Sequence, residues 1–225
     1  DGWSNLWEYA YTINYMLFLL LAISLANVFS VEYYRKTDAI ILCSKYGKKQ
    51  LYFSKILAGI TFSVVSAVLL FIATLLSSVF VYGTNGFHAA LQLIFPFSSW
   101  NISVGGSILI LFFSLIAISV LYGCVIMLLS AILKSNVAVM AVPVGIMILT
   151  MMVDVPYQFR LASQVYDLLP TNLLNTTELW DDRLICILGR YFTNFQIAPF
   201  LYLVFAVLLI LVGMVIYQRH QVQAR

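Results

Sequence analysis

The sequence lacks charge over one long stretch. Between Lys55 and Lys134 there is no Asp, Glu, Lys or Arg. A membrane-spanning helix needs about 20 consecutive apolar residues, and this stretch is several times longer. Over the whole chain only 9% of residues are charged, whereas 63% are hydrophobic. Such a composition excludes an ordinary soluble domain and predicts an integral membrane protein.

Residue types that carry catalysis or bind metals are also scarce. The three cysteines lie far apart and form no CxxC pair, so neither a disulfide framework nor a zinc site is indicated. Of the two histidines, His88 falls in a predicted outer loop and His220 in the predicted cytoplasmic tail, so they cannot combine into a buried metal site. The one Gly-Lys pair, Gly47-Lys48, lacks both the following Ser or Thr and the first glycine of a phosphate-binding loop. We therefore expect no enzyme activity, no bound cofactor and no metal in this chain.

Five apolar segments predict membrane-spanning helices, at about residues 11–31, 56–82, 107–133, 137–153 and 197–217. None contains a charged residue, and their lengths suit a hydrocarbon core of ~30 Å at 1.5 Å per residue. The predicted fold is an all-α polytopic membrane protein. Pro143 lies in the middle of the fourth segment, where it predicts a kink that serves either as a hinge or as a static bend.

The distribution of charge predicts the orientation in the membrane. Six basic residues lie between positions 32 and 55, and Lys134, Arg219 and Arg225 fall on the same side, against only two acids. The other side holds three basic residues and seven acids. The positive-inside rule places the basic side, including the C-terminus, in the cytoplasm of a cell membrane. Five spans then put residue 1 outside, and we expect at least one further span before Asp1.

Two segments are predicted to lie on the outer side. Residues 83–104 are rich in apolar side chains, which favours a position at the headgroup interface. In residues 154–196, apolar side chains recur at helical spacing from Phe159 to Leu169, and a second short helix is predicted at about 183–192. Either helix could be partly re-entrant. The acidic residues Glu178, Asp181 and Asp182 could bind a cation, although a solvated surface is the favoured interpretation.

The basic loop at 32–55 also contains an amphipathic pattern. Thr37 is a candidate helix cap, Asp38 falls in the first turn and Lys45 lies near the end, as the helix dipole favours. Apolar and small polar side chains share one face at helical spacing, and Gly47 then ends the helix. The residues on that face are Thr37, Ile40, Ile41 and Ser44. Lys48, Lys49 and Lys55 lead into the next span.

Two functions of this loop remain open from its residues. Basic side chains can act purely as a topology signal that contacts anionic lipid. That function accounts for the charge, but not for Ile40 and Ile41 in the middle of an otherwise polar loop. An apolar face with a charged rim is typical of a surface that docks another protein.

The stretch EYYRKTDAIILCSKYGKKQLYFSKILAGI resembles the first cytoplasmic loop of type 2 ABC transporter permeases, especially those of Gram-positive bacteria. In that family an acidic residue ends one span, a short helix follows, and a segment like S-x-x-G-[RK]-x-x-[LI]-x-x-[SA]-K opens the next span. The matching positions are Glu32, Ser44, Gly47, Lys48, Leu51, Ser54 and Lys55. The layout of spans and the motif LLPTNLL before the last span are similar too. The resemblance implies that the chain contains spans two to six of a six-helix permease.

The resemblance also implies a mechanism. In such permeases the loop is a coupling helix that docks into a separate ATPase subunit, which binds ATP and Mg, and two permease subunits pair in the membrane. The residues to which it assigns docking are Glu32, Thr37, Asp38, Ile40, Ile41, Ser44, Lys45, Gly47, Lys48, Lys49 and Lys55. We expect an exporter of an amphipathic substrate, and the alternative is a membrane sensor subunit that transports nothing. Spans without ionisable groups favour an energy source outside the membrane, because ion-coupled transporters keep such groups within it.

Overall fold

A computed structural model describes residues 3–34, 49–96, 98, 100–133, 135–153, 155–156, 158–174, 178–180, 184–187 and 189–219. The described part is mostly α-helical, as the sequence predicts. The α-helices are α1 (Ser4–Leu25), α2 (Asn27–Tyr34), α3 (Gln50–Tyr82), α4 (Val104–Ile132), α5 (Asn136–Met152), α6 (Arg160–Asp167) and α7 (Asn194–Arg219). Two short strands, β1 (Ile185–Ile187) and β2 (Arg190–Phe192), and the 3-10 turns Leu91–Leu93 and Glu178–Trp180 complete the described elements.

Four helical segments in the described part are long and apolar enough to cross a membrane. They are Ser4–Glu32, Gln50–Tyr82, Val104–Ile132 and Asn194–Gln218. The predicted fourth span corresponds to α5, which has 17 residues. At 1.5 Å per residue α5 is about 26 Å long, somewhat shorter than a ~30 Å hydrocarbon core. The structure therefore supports a membrane protein with four candidate spans, and the count of five stays a prediction.

Helix α4 lies at the centre of the bundle. It packs against α1, α3, α5 and α7, and most of its side chains are buried. Helices α3 and α7 instead expose long apolar faces, which suits contact with lipid. Small residues allow α3 and α4 to approach closely: a Cβ built on Gly123 would lie 2.4 Å from Ser63 Oγ. Because lipid is as apolar as the side chains, such close packing is a main source of helix association in membranes.

Aromatic side chains close one end of the bundle. The ring of Trp7 on α1 lies 5.5 Å from the rings of both Phe95 and Trp180, in edge-to-face contact, and Phe195 at the start of α7 packs on Trp180. Such pairs stabilise by about 1 kcal/mol each beyond the area they bury. We call this the aromatic end. The segment at 83–104 is predicted to lie at the headgroup interface. Of its described residues, Phe95 packs on Trp7 at this end and Leu91 is fully buried.

The structure tests the two predicted helices between 154 and 196. The first is confirmed as α6, Arg160–Asp167. The second, at about 183–192, is wrong: the chain forms an antiparallel hairpin in which β1 pairs with β2. Gly189 in the turn has a φ of 79°, a conformation that favours glycine. The β-branched and aromatic residues on both sides of this turn prefer strands, which explains the difference.

Candidate functional site at the base of the basic loop

The basic loop is only partly covered by the described residues. Of the predicted docking residues, the structure describes Glu32, Lys49 and Lys55. Lys49 is exposed just before α3. The amphipathic helix predicted over 37–45 and the remaining docking positions lie outside the described residues. Those positions are Thr37, Asp38, Ile40, Ile41, Ser44, Lys45, Gly47 and Lys48.

The two ends of the loop are joined by an ion pair. Lys55 Nζ lies 2.5 Å from Glu32 Oε1 and donates a second hydrogen bond, of 2.7 Å, to the carbonyl oxygen of Val28. The same ammonium lies 4.7 Å from the centroid of the Phe29 ring. The side chains of Lys55 and Glu32 are only 18% and 11% exposed. We call this cluster of Val28, Phe29, Glu32 and Lys55 the loop base.

The loop base follows from helical geometry. Val28 and Glu32 are four residues apart, so they lie on one face of α2. Lys55 lies in the second turn of α3, the helix that follows the loop. A buried charge is tolerated when it is paired and hydrogen-bonded, and Lys55 meets a carboxylate, a carbonyl and a ring face. The resemblance implies a docking role for Glu32 and Lys55, and the structure brings them into contact with each other.

Three aromatic rings lie next to the loop base. Phe29 on α2, Tyr52 on α3 and Tyr217 on α7 pack against one another, with ring centroids 5.5 to 5.7 Å apart. The hydroxyl of Tyr52 donates a 2.8 Å hydrogen bond to the carbonyl oxygen of Ile210. These contacts attach the start of α3, and with it the end of the loop, to the last helix of the bundle.

The helical hydrogen-bond pattern is interrupted between α1 and α2 at Ala26, two residues before the loop base, although the backbone of Ala26 keeps helical angles. The hydroxyl oxygen of Ser130, on α4, accepts hydrogen bonds from the backbone N–H groups of Phe29 and Ser30, at 3.0 and 3.1 Å. The same hydroxyl donates to the carbonyl oxygen of Ala26, at 2.7 Å. The Ser130 side chain thus replaces backbone partners inside the helical hydrogen-bond pattern, and the chain still forms one candidate span from Ser4 to Glu32. Ser130 itself is fully buried.

A second polar junction lies inside the bundle, nearer the aromatic end. Asn14 Nδ2 donates a 2.8 Å hydrogen bond to the carbonyl oxygen of Pro170, and the hydroxyl of Tyr202 donates to the carbonyl oxygen of Leu168, at 2.7 Å. Residues 171–174 are all buried. Asn14 is ten residues from the start of α1, or about 15 Å along it. The segment after α6 therefore enters the helix bundle, and Asn14 and Tyr202 bind its backbone.

Sequence reasoning did not find this role of Asn14. A single amide in an apolar span is most often a packing residue, and its partner is 156 positions away. Pro143, the predicted hinge, is buried within α5, which continues from Asn136 to Met152. A hinge function of Pro143 stays a prediction.

Comparisons with protein-family models, curated proteins and solved structures found no match to this chain.

Proposed function

We propose that this chain is the membrane-spanning permease subunit of an ATP-driven ABC transporter, which exports an amphipathic substrate such as a peptide, a lipid-like molecule or a drug. It docks a separate ABC ATPase through the loop at 32–55, and ATP and Mg are bound by that partner. A second permease copy or a paralogue completes the transporter in the cell membrane. In this proposal the loop and the C-terminus face the cytoplasm, and residue 1 lies outside.

The loop base is the observation that carries the proposal. The loop at 32–55 begins at Glu32 and ends at Lys55, and an ion pair joins these two residues. A force on a loop whose two ends are joined acts on α2 and α3 together, as a coupling element requires. The match of Glu32 and Lys55 to the two ends of the family's motif adds support, since these are the residues that make the pair.

Charge within the candidate spans adds a second line of support. In the described part of the chain, the one ion pair involving the spans is at the loop base, at the end of the bundle rather than in its interior. Between Tyr9 and Val31, in the first candidate span, tyrosines are the only ionisable residues of the sequence. Between Lys55 and Lys134 they are His88, Cys124 and tyrosines. Coupling to protons or sodium ions usually needs such groups in the membrane.

Docking is tested with variants of the apolar face of the loop. In Ile40→Ser/Ile41→Ser the predicted anchor is lost, and truncating a buried anchor typically costs about 2 kcal/mol or more, roughly thirtyfold in affinity. The matched control, Lys45→Arg/Lys48→Arg, keeps the charge and the apolar face and should bind normally. The measurement is co-purification of the co-expressed ATPase, with membrane insertion checked for each variant. Normal ATPase binding by the double Ile variant would refute docking through this loop.

The energy source is tested in reconstituted vesicles containing the permease and its ATPase. Transport should require ATP and should persist when proton and sodium gradients are collapsed. Full transport driven by an ion gradient without ATP would refute the permease function proposed here. ATPase binding and ATP hydrolysis without movement of any amphipathic substrate would instead indicate a sensor subunit.

A further inference from the structure

A groove of about 480 Å³ lies between α3 and α4 at the aromatic end. Phe71, Ile72 and Leu75 on α3 form one wall, and Ile108, Leu109 and Phe112 on α4 form the other. Phe87, His88 and Ser103 stand at the end where α4 begins. Its volume and its largely apolar lining with a few polar groups are typical of sites for small ligands.

The groove has the length of one membrane leaflet. Along α4 it extends from Ser103 to Phe112, nine residues, which corresponds to about 14 Å. Half of a ~30 Å hydrocarbon core is about 15 Å. The polar side chains, His88 and Ser103, lie only at the end of the span, while the walls that extend into the span are apolar. This polarity matches an extended lipid acyl chain whose headgroup remains at the membrane surface.

The start of α4 offers no open backbone donor to an anionic headgroup. Its first N–H groups all have partners: Val104 donates to Ala89 O, Gly105 to Phe87 O, Gly106 to Ser103 Oγ and Ser107 to Ser103 O, at 2.9 to 3.2 Å. A helix N-terminus binds phosphate through such N–H groups only when they are open. The hydrocarbon chain rather than the headgroup charge is therefore what the groove can recognise.

Close packing fixes the rim of the groove. The ring of Phe87 lies over Gly105, where a Cβ would come within 2.4 Å of the ring. The ring of Trp3 contacts the Phe87 ring edge to face, at 5.6 Å between centroids. The rim is thus held by Trp3 just before α1, by Phe87 and by the start of α4 together, and the opening is formed before any ligand binds.

We propose that this groove is a binding site for one acyl chain of a resident membrane phospholipid, with the headgroup at the His88 end. The exposed faces of α3 and α4 that border the groove lie within two candidate spans, where hydrocarbon is the solvent. The site is independent of the function proposed above, because it needs only the membrane and these two helices.

The test uses native mass spectrometry of the purified chain after stepwise removal of lipid with detergent. The probes are phosphatidylglycerol and phosphatidylethanolamine that carry identical acyl chains. Ile72→Trp fills the groove, because Ile72 lines it and is 44% exposed. Leu76→Trp is the matched control, because Leu76 lies one turn further along α3, is 51% exposed and does not line the groove.

The wild-type chain and Leu76→Trp should retain one lipid, with affinities within about twofold of each other. Ile72→Trp should bind at least about tenfold more weakly, and the two headgroups should bind within about threefold. Retention of the lipid by Ile72→Trp, or a headgroup preference above about tenfold, would overturn the proposal. If Ile72→Trp does not fold, Leu109→Trp and its control Phe113→Trp repeat the comparison on α4, where Leu109 lines the groove and Phe113 does not.

Discussion

Replacing Lys55 by Met should destabilise the protein substantially. Methionine has a similar length and is apolar, so it keeps the packing of the stem and removes only the ammonium. The carboxylate of Glu32 then stays 11% exposed without the cation that lies 2.5 Å away in the wild type. Removing one partner of a buried pair costs about 3–5 kcal/mol. We expect about 3 kcal/mol, because both side chains retain some exposure.

Replacing Glu32 by Gln should cost less. The amide oxygen of Gln can still accept from Lys55, and the ammonium keeps its hydrogen bond to Val28 O and its contact with the Phe29 ring. A change of this kind costs about 1–2 kcal/mol. In Glu32→Gln/Lys55→Met no buried charge remains, so the double variant should be no less stable than Lys55→Met alone. The cycle should then show a coupling energy of about 2 kcal/mol.

These free energies are measured by titrating SDS into mixed micelles and following helix content by circular dichroism. Lys49→Met is the matched control, since Lys49 is exposed six residues earlier in the chain and should give no measurable change. We expect the wild type to be the most stable and Glu32→Gln to be second. Lys55→Met and the double variant should be the least stable. Additive effects of the two single changes, or a Lys55→Met variant as stable as Lys49→Met, would refute the role assigned to the loop base.

Three further predictions concern buried contacts elsewhere. Ser130→Ala should cost about 1–3 kcal/mol of stability in the same titration, because it removes the hydroxyl that accepts and donates hydrogen bonds between α1 and α2. Unchanged stability would contradict this role. Asn14→Leu should loosen residues 168–174, seen as faster hydrogen exchange of their amides, and unchanged exchange would contradict the anchoring. Gly123→Ala should cost about 1–3 kcal/mol through collision with Ser63, and Ser63→Gly should partly restore stability, whereas no restoration would exclude this contact as the cause.

The helical framework could be predicted because long apolar runs leave few alternatives in a membrane. The predicted boundaries were less accurate where other contacts extend a helix. The first span was predicted from about residue 11, whereas α1 begins at Ser4, since Trp7 packs into the aromatic end and Trp3 packs on Phe87. The hairpin at β1 and β2 was missed for a different reason: an apolar stretch of this length suits a short helix and a hairpin equally, and Gly189 was the signal for the turn.

The candidate site could be predicted only in part. The resemblance selected Glu32 and Lys55, but nothing in the local pattern indicated that they contact each other across 23 positions. The role of Ser130 depends on partners about 100 positions away, and a serine in a span usually bonds only to its own helix. Such contacts come from tertiary packing, which the local pattern does not contain.

Under the proposed function, the loop base and the Ser130 hydrogen bonds form one connection from the loop to the centre of the bundle. Glu32 lies six residues after Ala26, about 9 Å along the helix, so a displacement of the loop base acts close to the point where the helical hydrogen bonds are interrupted. The hydrogen bonds at that point are supplied by Ser130 of α4, the helix that contacts α1, α3, α5 and α7. A movement of α2 must therefore stretch or exchange bonds to α4. If this connection carries the coupling, Ser130→Ala should lower substrate-stimulated ATP hydrolysis while leaving ATPase co-purification unchanged, because the docking loop itself is intact.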